Sequence, residues 1–313
     1  MPPSSAPGAE ARLALMAGIG CYLIWGFVPL AFQVMGRLGV GSWEILAHRS
    51  LWGAPTALLL VLLAHQGRQV LAVVGKPKVL AWLCLSSALI AANWAIFITA
   101  VNSGRVLEGS FGYYVTPLVN MASGALIFRE RIDRIGAISI GLAAIGVAFQ
   151  GWALGHLPLI SLALALTFGG YGIVRKQVQA DAQTGLFVEC LILSVPSAFY
   201  LAWLAGQGAG HFTASGATMF WLIAAGPLTA LPLALFSWCA RRLPMSVMAF
   251  LQFIGPTIGF GIGIAQDEPF TSLHAVSFAF IWTGAAVFAW GAWKRSRVVL
   301  RATREIAAAS EAK

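Results

Sequence analysis

Long apolar runs separated by short polar gaps set the pattern of this chain. Runs of about 18–23 residues, enough to cross about 30 Å of hydrocarbon at 1.5 Å per residue, recur from one end to the other. They predict helices near 14–36, 43–64, 79–101, 106–128, 134–151, 157–175, 184–205, 218–239, 245–265 and 272–293. The gaps between them are too short for a soluble domain. The expected architecture is an all-α integral membrane protein with ten transmembrane helices. The first twelve residues are polar, and the run after them is long enough to span, so it reads as a retained helix and not as a cleaved signal peptide.

Composition sharpens this picture. Of the 313 residues 59% are hydrophobic and 10% charged, whereas a soluble domain carries roughly 25% charged residues, so a soluble globular reading is excluded. The net charge of +9 comes from 20 Lys and Arg against 11 acids, and seventeen of the twenty fall in alternate gaps. These are Arg12, then Arg68, Lys76 and Lys78, then Arg129, Arg131 and Arg134, then Arg175 and Lys176, then Arg241 and Arg242, and six in the tail. The opposite side holds Arg37 and Arg105, and Arg49 lies within a span. Positive loops stay cytoplasmic, which puts both termini inside. Charge spread over loops in this way is a topology signal; it makes no continuous basic stripe, so nucleic acid is not an expected partner. The basic tail, 294–313, is expected on the cytoplasmic side, with anionic lipid attracting its cations. Cys21, Cys84, Cys190 and Cys239 sit in apolar runs without CxxC spacing, so neither disulfides, metal nor cofactor is expected.

The chain also repeats itself. Sliding it by 139 residues lays 94–124 over 233–263 without a gap, matching Phe97 with Phe236, Phe111 with Phe250, Pro117 with Pro256 and Gly124 with Gly263. A slide of 145 puts Glu44 on Glu189. Each copy holds five helices, and an odd number forces the copies into opposite orientations, the inverted-repeat plan of many secondary transporters. The expected units are 14–151 and 157–293.

Several stretches carry a family resemblance: IWGFVPLAF (24–32), EILAHRSLW (44–52), NWAIFITAVN (93–102), LEGSFGYYVTPLVN (107–120), YGIVRK (171–176), QTGLFVE (183–189) and RRLPMSVMAFLQFIGPT (241–257). From about Leu13 to Trp293 the chain resembles the RarD branch of the EamA-type drug/metabolite transporter superfamily. That resemblance implies ten helices in two EamA repeats, a bacterial inner-membrane location and a role in drug or metabolite transport. The chain departs from the branch at Gln33, where lysine is frequent, at Thr116, where Asn commonly precedes the proline, and at Asp267-Glu268, where Gly-Glu is usual. The last departure lies at a membrane edge and is expected to matter least.

Ionised side chains at mid-bilayer cost on the order of 3 kcal/mol each, so those that remain are partnered or functional. Helix 2 carries Glu44 and His48 on one face and Arg49 about 100° around. Helix 4 carries Glu108, then Tyr113, Tyr114, Thr116 and Asn120 around Pro117. On the topology above, Glu44, Arg49, Arg105 and Glu108 share the outer half of the membrane, where an ion-pair cluster is geometrically possible. Glu108 or Glu44 then reads as a proton carrier, switching between a dry environment and one beside Arg49; a static bridge between helices 2 and 4 is the other reading. Glu189 belongs to the inner half, where it and Glu44 are either opposite gates or two interfacial caps of common ancestry. Glu108 has no counterpart, since Val247 matches it.

Asn93 and Trp94 on helix 3 and Gln252 on helix 9 suit hydrogen bonding and stacking on a flat solute, or simple helix–helix bonding. Pro117 and Pro256 are expected to kink helices 4 and 9. Gly255, Gly259 and Gly263 form a small-residue ridge, expected to cross helix 4 at Thr116, Asn120 and Gly124.

No nucleotide loop or hydrolase motif occurs, so catalysis is not expected. The expected function is secondary transport of small organic metabolites or drugs by alternating access, with protons as a coupling partner in one form of the reading. An uncoupled facilitator or exchanger, or a non-transport membrane protein, stays open. Substrate and oligomeric state are not readable from these residues.

Overall fold

The computed structural model of the chain describes residues 7–128, 133–240, 242–243, 247–248 and 251–311. Arg129, Arg131 and Arg241 and the side chains of Pro117 and Asn120 lie outside the described set. The helices whose bounds are described are α1 (Pro7–Arg37), α2 (Ser42–Leu63), α3 (Gly67–Val74), α4 (Pro77–Asn102), α5 (Val106–Phe128), α6 (Arg134–Leu154), α7 (Leu159–Gln177), α8 (Ala182–Gly206), α9 (Gly216–Ala240), α10 (Ile254–Ala265) and α11 (Ser272–Glu311), and no strand occurs among the described residues.

Seven of these, α1, α2, α4, α6, α8, α9 and α11, contain stretches long and apolar enough to cross a bilayer. The sequence pattern predicted ten. That number covers the described residues alone; α10, expected over 245–265, runs from Ile254, with Val247, Met248 and Leu251 helical ahead of it. Its 12 residues rise about 18 Å, because Gln252 and Phe253 form a turn ahead of it. Pro256 therefore stands in the first turn of α10, where a missing N–H leaves no bond unmade, four residues after the Gln252 turn that breaks the expected 245–265 run. Gln252, expected deep in a span, belongs to that turn, with its backbone N–H bonded to the Met248 carbonyl at 3.0 Å.

Two further features differ from expectation. The short helix α3 occupies the gap after α2; it buries Val73 and packs on α4 and α8, leaving most of its other residues exposed or half-exposed. The other is that the helix expected over 272–293 does not end there, since α11 runs on through the basic tail to Glu311.

Close packing follows from small residues where helices meet. α2 lies against α8 and α9, α7 against α4 and α5, α1 against α9 and α10, α5 against α10, and α6 against α11. A Cβ on Gly112 of α5 would come within 2.7 Å of the Ser161 carbonyl of α7, and one on Gly226 of α9 would strike the α2 backbone at Trp52. The α10 glycine ridge meets α5, but not where expected: Gly259 abuts Ser110 and Gly263 abuts Leu107, while Gly255 faces the α1 backbone. Thr116 instead bonds to the Gly112 carbonyl of its own helix at 3.1 Å. At the α4–α5 corner Gly104 takes φ +69°, a conformation that glycine adopts without a Cβ clash, so α5 begins two residues later.

Candidate functional site

The helix contacts gather most of the expected polar residues, but sort them into separate pairs. Glu44, in the first turn of α2, is 2% exposed. Its carboxylate accepts from the His211 backbone N–H at 2.7 Å and faces the His211 ring nitrogen Nδ1 at 2.8 Å. His211 comes from the α8–α9 link. Nearby, Asn102 at the end of α4 donates weakly to Ser42 at 3.5 Å, closing the same end of the bundle.

Glu108 pairs with the residue just ahead of its own helix, Arg105, whose Nε donates to Oε1 at 2.7 Å. Its second oxygen, Oε2, is buried without a hydrogen-bond partner. The N-terminus of α5 is capped from elsewhere: the Glu268 carboxylate accepts from the backbone N–H groups of Val106 at 2.6 Å and Leu107 at 2.8 Å. An anion here satisfies two otherwise orphaned donors and meets the positive end of the helix dipole. Glu268, expected to matter least, is thus a structural link between α5 and the α10–α11 connection. Burial pushes its carboxyl above the ordinary range, against the lowering effect of the two N–H bonds, and the neighbouring Glu108 pushes the same way as burial.

Arg49 joins none of these acids. Of the possible cluster of Glu44, Arg49, Arg105 and Glu108 only the Arg105–Glu108 pair forms, and helical rotation turns Arg49 away from the Glu44 face. Its guanidinium carbon lies 4.0 Å from the Trp94 ring centroid and 5.4 Å from that of Phe32. An aromatic shell extends outward from there: Phe32 packs on Phe97 at 6.3 Å, Phe97 on Tyr113 at 5.2 Å, and Tyr113 on Phe168 at 6.0 Å. Asn93 is fully engaged. It donates to the Leu164 carbonyl at 3.1 Å and to Thr167 at 3.0 Å, and it accepts from the Tyr113 hydroxyl at 3.0 Å. On the adjacent face of α2, His48 stacks on Phe212 at 5.0 Å and Trp52 stacks on the same ring at 6.1 Å. Both ring nitrogens of His48 and the Trp52 Nε1 are buried without hydrogen-bond partners.

At the other end Glu189 is also 2% exposed. Ser86 of α4 donates to it at 2.5 Å, Tyr171 of α7 at 3.2 Å, and Arg175 Nε stands 3.7 Å away. Arg175, counted in the sequence only as a loop charge, thus serves a buried acid. Gln66, after α2, bonds to Gln183 and Thr184 at the start of α8. Tyr114 sits apart from both ends, bonded to Thr257 at 2.5 Å and stacked on Phe253 at 6.1 Å. A surface groove of about 510 Å³ by Trp152, His156 and Leu157 touches none of these groups and is lined mainly by apolar atoms.

Sequence reasoning missed His211, Phe212, Tyr171, Ser86 and the roles of Arg175 and Glu268. One signal was available: the slide of 145 that matches Glu44 with Glu189 also sets Gln66 on His211, and each of the two docks on the first turn of a helix distant in sequence.

Comparison with known proteins decides the family. Residues 12–151 match the EamA-like transporter family. The chain is 37% identical over 94% of its length to an uncharacterized transporter of Vibrio cholerae, covering 97% of that protein. It is 36% identical to Protein RarD of Escherichia coli, over 89% of this chain and 94% of that one. The chain belongs to the RarD-type permeases of the EamA superfamily. This RarD-type chain is also 34% identical to the uncharacterized transporter YojE of Bacillus subtilis, over 92% of its length and 98% of that protein. A crystal structure superposes with a TM-score of 0.58 at 18% identity, covering 88% of this chain and 96% of the other, a likeness of fold. As a RarD-type permease it is a multi-pass membrane transporter.

Proposed function

We propose that this chain carries small organic solutes across the bacterial inner membrane by alternating access between two inverted five-helix units, 14–151 and 157–293, with both termini cytoplasmic. The helix-contact pattern carries this reading. Exchanging the first five long helices for the last five turns the α1–α9 contact into α7–α4, α1–α10 into α7–α5, and α2–α9 into α8–α4, while α2–α8, α5–α10 and α6–α11 map onto themselves. Every one of these contacts is present. A pseudo-two-fold of this kind lets one packing be traded for its mirror image.

On this reading Glu44 with His211 seals one end, and Glu189 with Ser86, Tyr171 and Arg175 seals the other. Both sets of contacts are made at once, which supports reading this arrangement as the occluded member of the cycle. Glu108 is the candidate proton carrier, because its buried Oε2 has no partner, whereas Glu44 and Glu189 are held by fixed partners. That engagement of the two gate acids favours, as the second reading, an uncoupled facilitator or exchanger.

Reconstitution into liposomes tests the proposal. A mixture of labelled organic acids, amides and amines should equilibrate across the membrane only where the protein is present. An imposed pH gradient should drive accumulation in the wild type, and Glu108→Gln should abolish the gradient-driven part alone. Flux that ignores the gradient selects the facilitator; no flux with any solute class overturns transport.

A further inference from the structure

Arg49 is a buried cation with no anion. The residue is 8% exposed and its Nε is buried without a hydrogen-bond partner. Among the described residues no carboxylate lies within ion-pair reach of it: Glu44 belongs to His211, Glu108 to Arg105 and Glu189 to Arg175. What surrounds the guanidinium is π density from Trp94 and Phe32. Cation–π contact is worth about 0.5–2 kcal/mol, while an uncompensated buried ion costs several kcal/mol, and a guanidinium does not relieve that cost by losing its proton. The contacts present therefore leave a deficit that a counter-anion would remove.

The surroundings narrow the identity of that anion. Two polar side chains of the shell are already engaged, since Tyr113 donates to Asn93 and Asn93 donates to α7. Guanidinium charge and aromatic surface are what the shell still offers. The slide of 145 places Ser194 opposite Arg49, and Ser194 bonds to the Cys190 carbonyl at 2.6 Å. The cation is thus single, which suits a single negative charge. A planar guanidinium pairs with a carboxylate through two parallel hydrogen bonds while keeping an aromatic face beneath it.

We propose that Arg49 anchors the carboxylate of a small aromatic organic anion, whose ring packs among Phe32, Phe97 and Trp94. This deepens the transport reading and rests on it for the claim that the anion is cargo. A buried cation retained for ligand binding also makes a prediction that a packing role does not: without ligand, Arg49→Met should melt at a higher temperature than the wild type.

The test uses purified full-length protein in detergent, with benzoate, phenylacetate and indole-3-acetate as probes, each paired with its neutral amide, and with sodium phosphate and chloride as inorganic anions. The acids should raise the melting temperature and alter tryptophan emission, and the amides should not. Arg49→Met should weaken binding about tenfold or more, since a bidentate charged pair is lost. Arg49→Lys, which keeps the charge without the fork, should fall between, and a Met variant that melts below the wild type or fails to fold would overturn the uncompensated-cation premise. Amides that stabilise as well as acids, phosphate or chloride that matches them, no response to any acid, or Arg49→Met binding at wild-type strength would overturn the proposal. Liposome flux separates this from the transport reading. Acids that bind but never cross remove the transport claim and leave the site, whereas amides that cross as fast as acids remove the anion claim and leave transport.

Discussion

His211 holds Glu44 twice, through its backbone N–H at 2.7 Å and through ring Nδ1 at 2.8 Å, so a residue of the α8–α9 link seals the buried first turn of α2. The two contacts differ in what a substitution removes. Glu44→Ala strips the acceptor from both donors and should cost about 2–4 kcal/mol; His211→Ala keeps the backbone bond and should cost about 1 kcal/mol. Unfolding of the two variants in the same detergent measures the difference, and equal losses would place the whole effect in the ring contact.

Glu189 sits in a fuller cage, and its removal strands a cation. Glu189→Leu leaves Arg175 without its carboxylate, and breaking a buried pair from one side costs about 3–5 kcal/mol. Arg175→Met combined with Glu189→Leu should recover part of that loss, because neither charge is then left alone. A double-mutant cycle on thermal stability reads the coupling, and additive losses would show that the 3.7 Å separation carries no energy.

The contact of α5 with α10 depends on missing side chains. A Cβ on Gly263 would come within 2.7 Å of the Leu107 side chain. Gly263→Leu should therefore destabilise the fold by about 1–3 kcal/mol through overpacking. A Leu107→Cys, Gly263→Cys pair, in a background lacking the exposed Cys84, should cross-link on mild oxidation. A mobility shift after cleavage between the two helices reports the bond, and its absence under conditions that oxidise free thiols would argue against this packing.

Glu268 gives stability an acid-side slope. Burial raises its carboxyl above the ordinary glutamate range, so the native chain holds the proton more tightly than the unfolded one. Its contribution is complete at low pH and declines as the pH climbs from the ordinary value through the raised one. Thermal midpoints across the acid range should show that decline in the wild type and not in Glu268→Gln. An unchanged slope would assign it to another group.

Apolar periodicity located the membrane helices because burial in lipid demands long uninterrupted runs, and the mismatches arise where that demand is absent. The helix α3 is short and mostly exposed, so no span-length run announces it. The turn at Gln252 and Phe253 interrupts a stretch that is apolar throughout, and hydropathy alone does not see a break in backbone bonding. Candidate chemistry was legible as a set of residue types and illegible as a set of pairs. Glu44 and Arg49 look like partners five positions apart, yet the acid's partner lies 167 residues away in a link and the cation's lies on an aromatic ring. Pairing depends on which helices become neighbours, and only the repeat hinted at that through Gln66 and His211.

The way α2 is wedged between α8 and α9, while α7 rests on α4 and α5, bears on how the chain is made. Helices synthesised first receive their neighbours from those synthesised last. A nascent chain halted after α6 would hold Glu44 without His211 and Gly53 without Cys190, so early helices must wait in the bilayer with buried charge uncovered. Ribosome stalling near that point should yield a product that membrane quality-control proteases recognise and degrade, whereas release after α9 should yield one they spare.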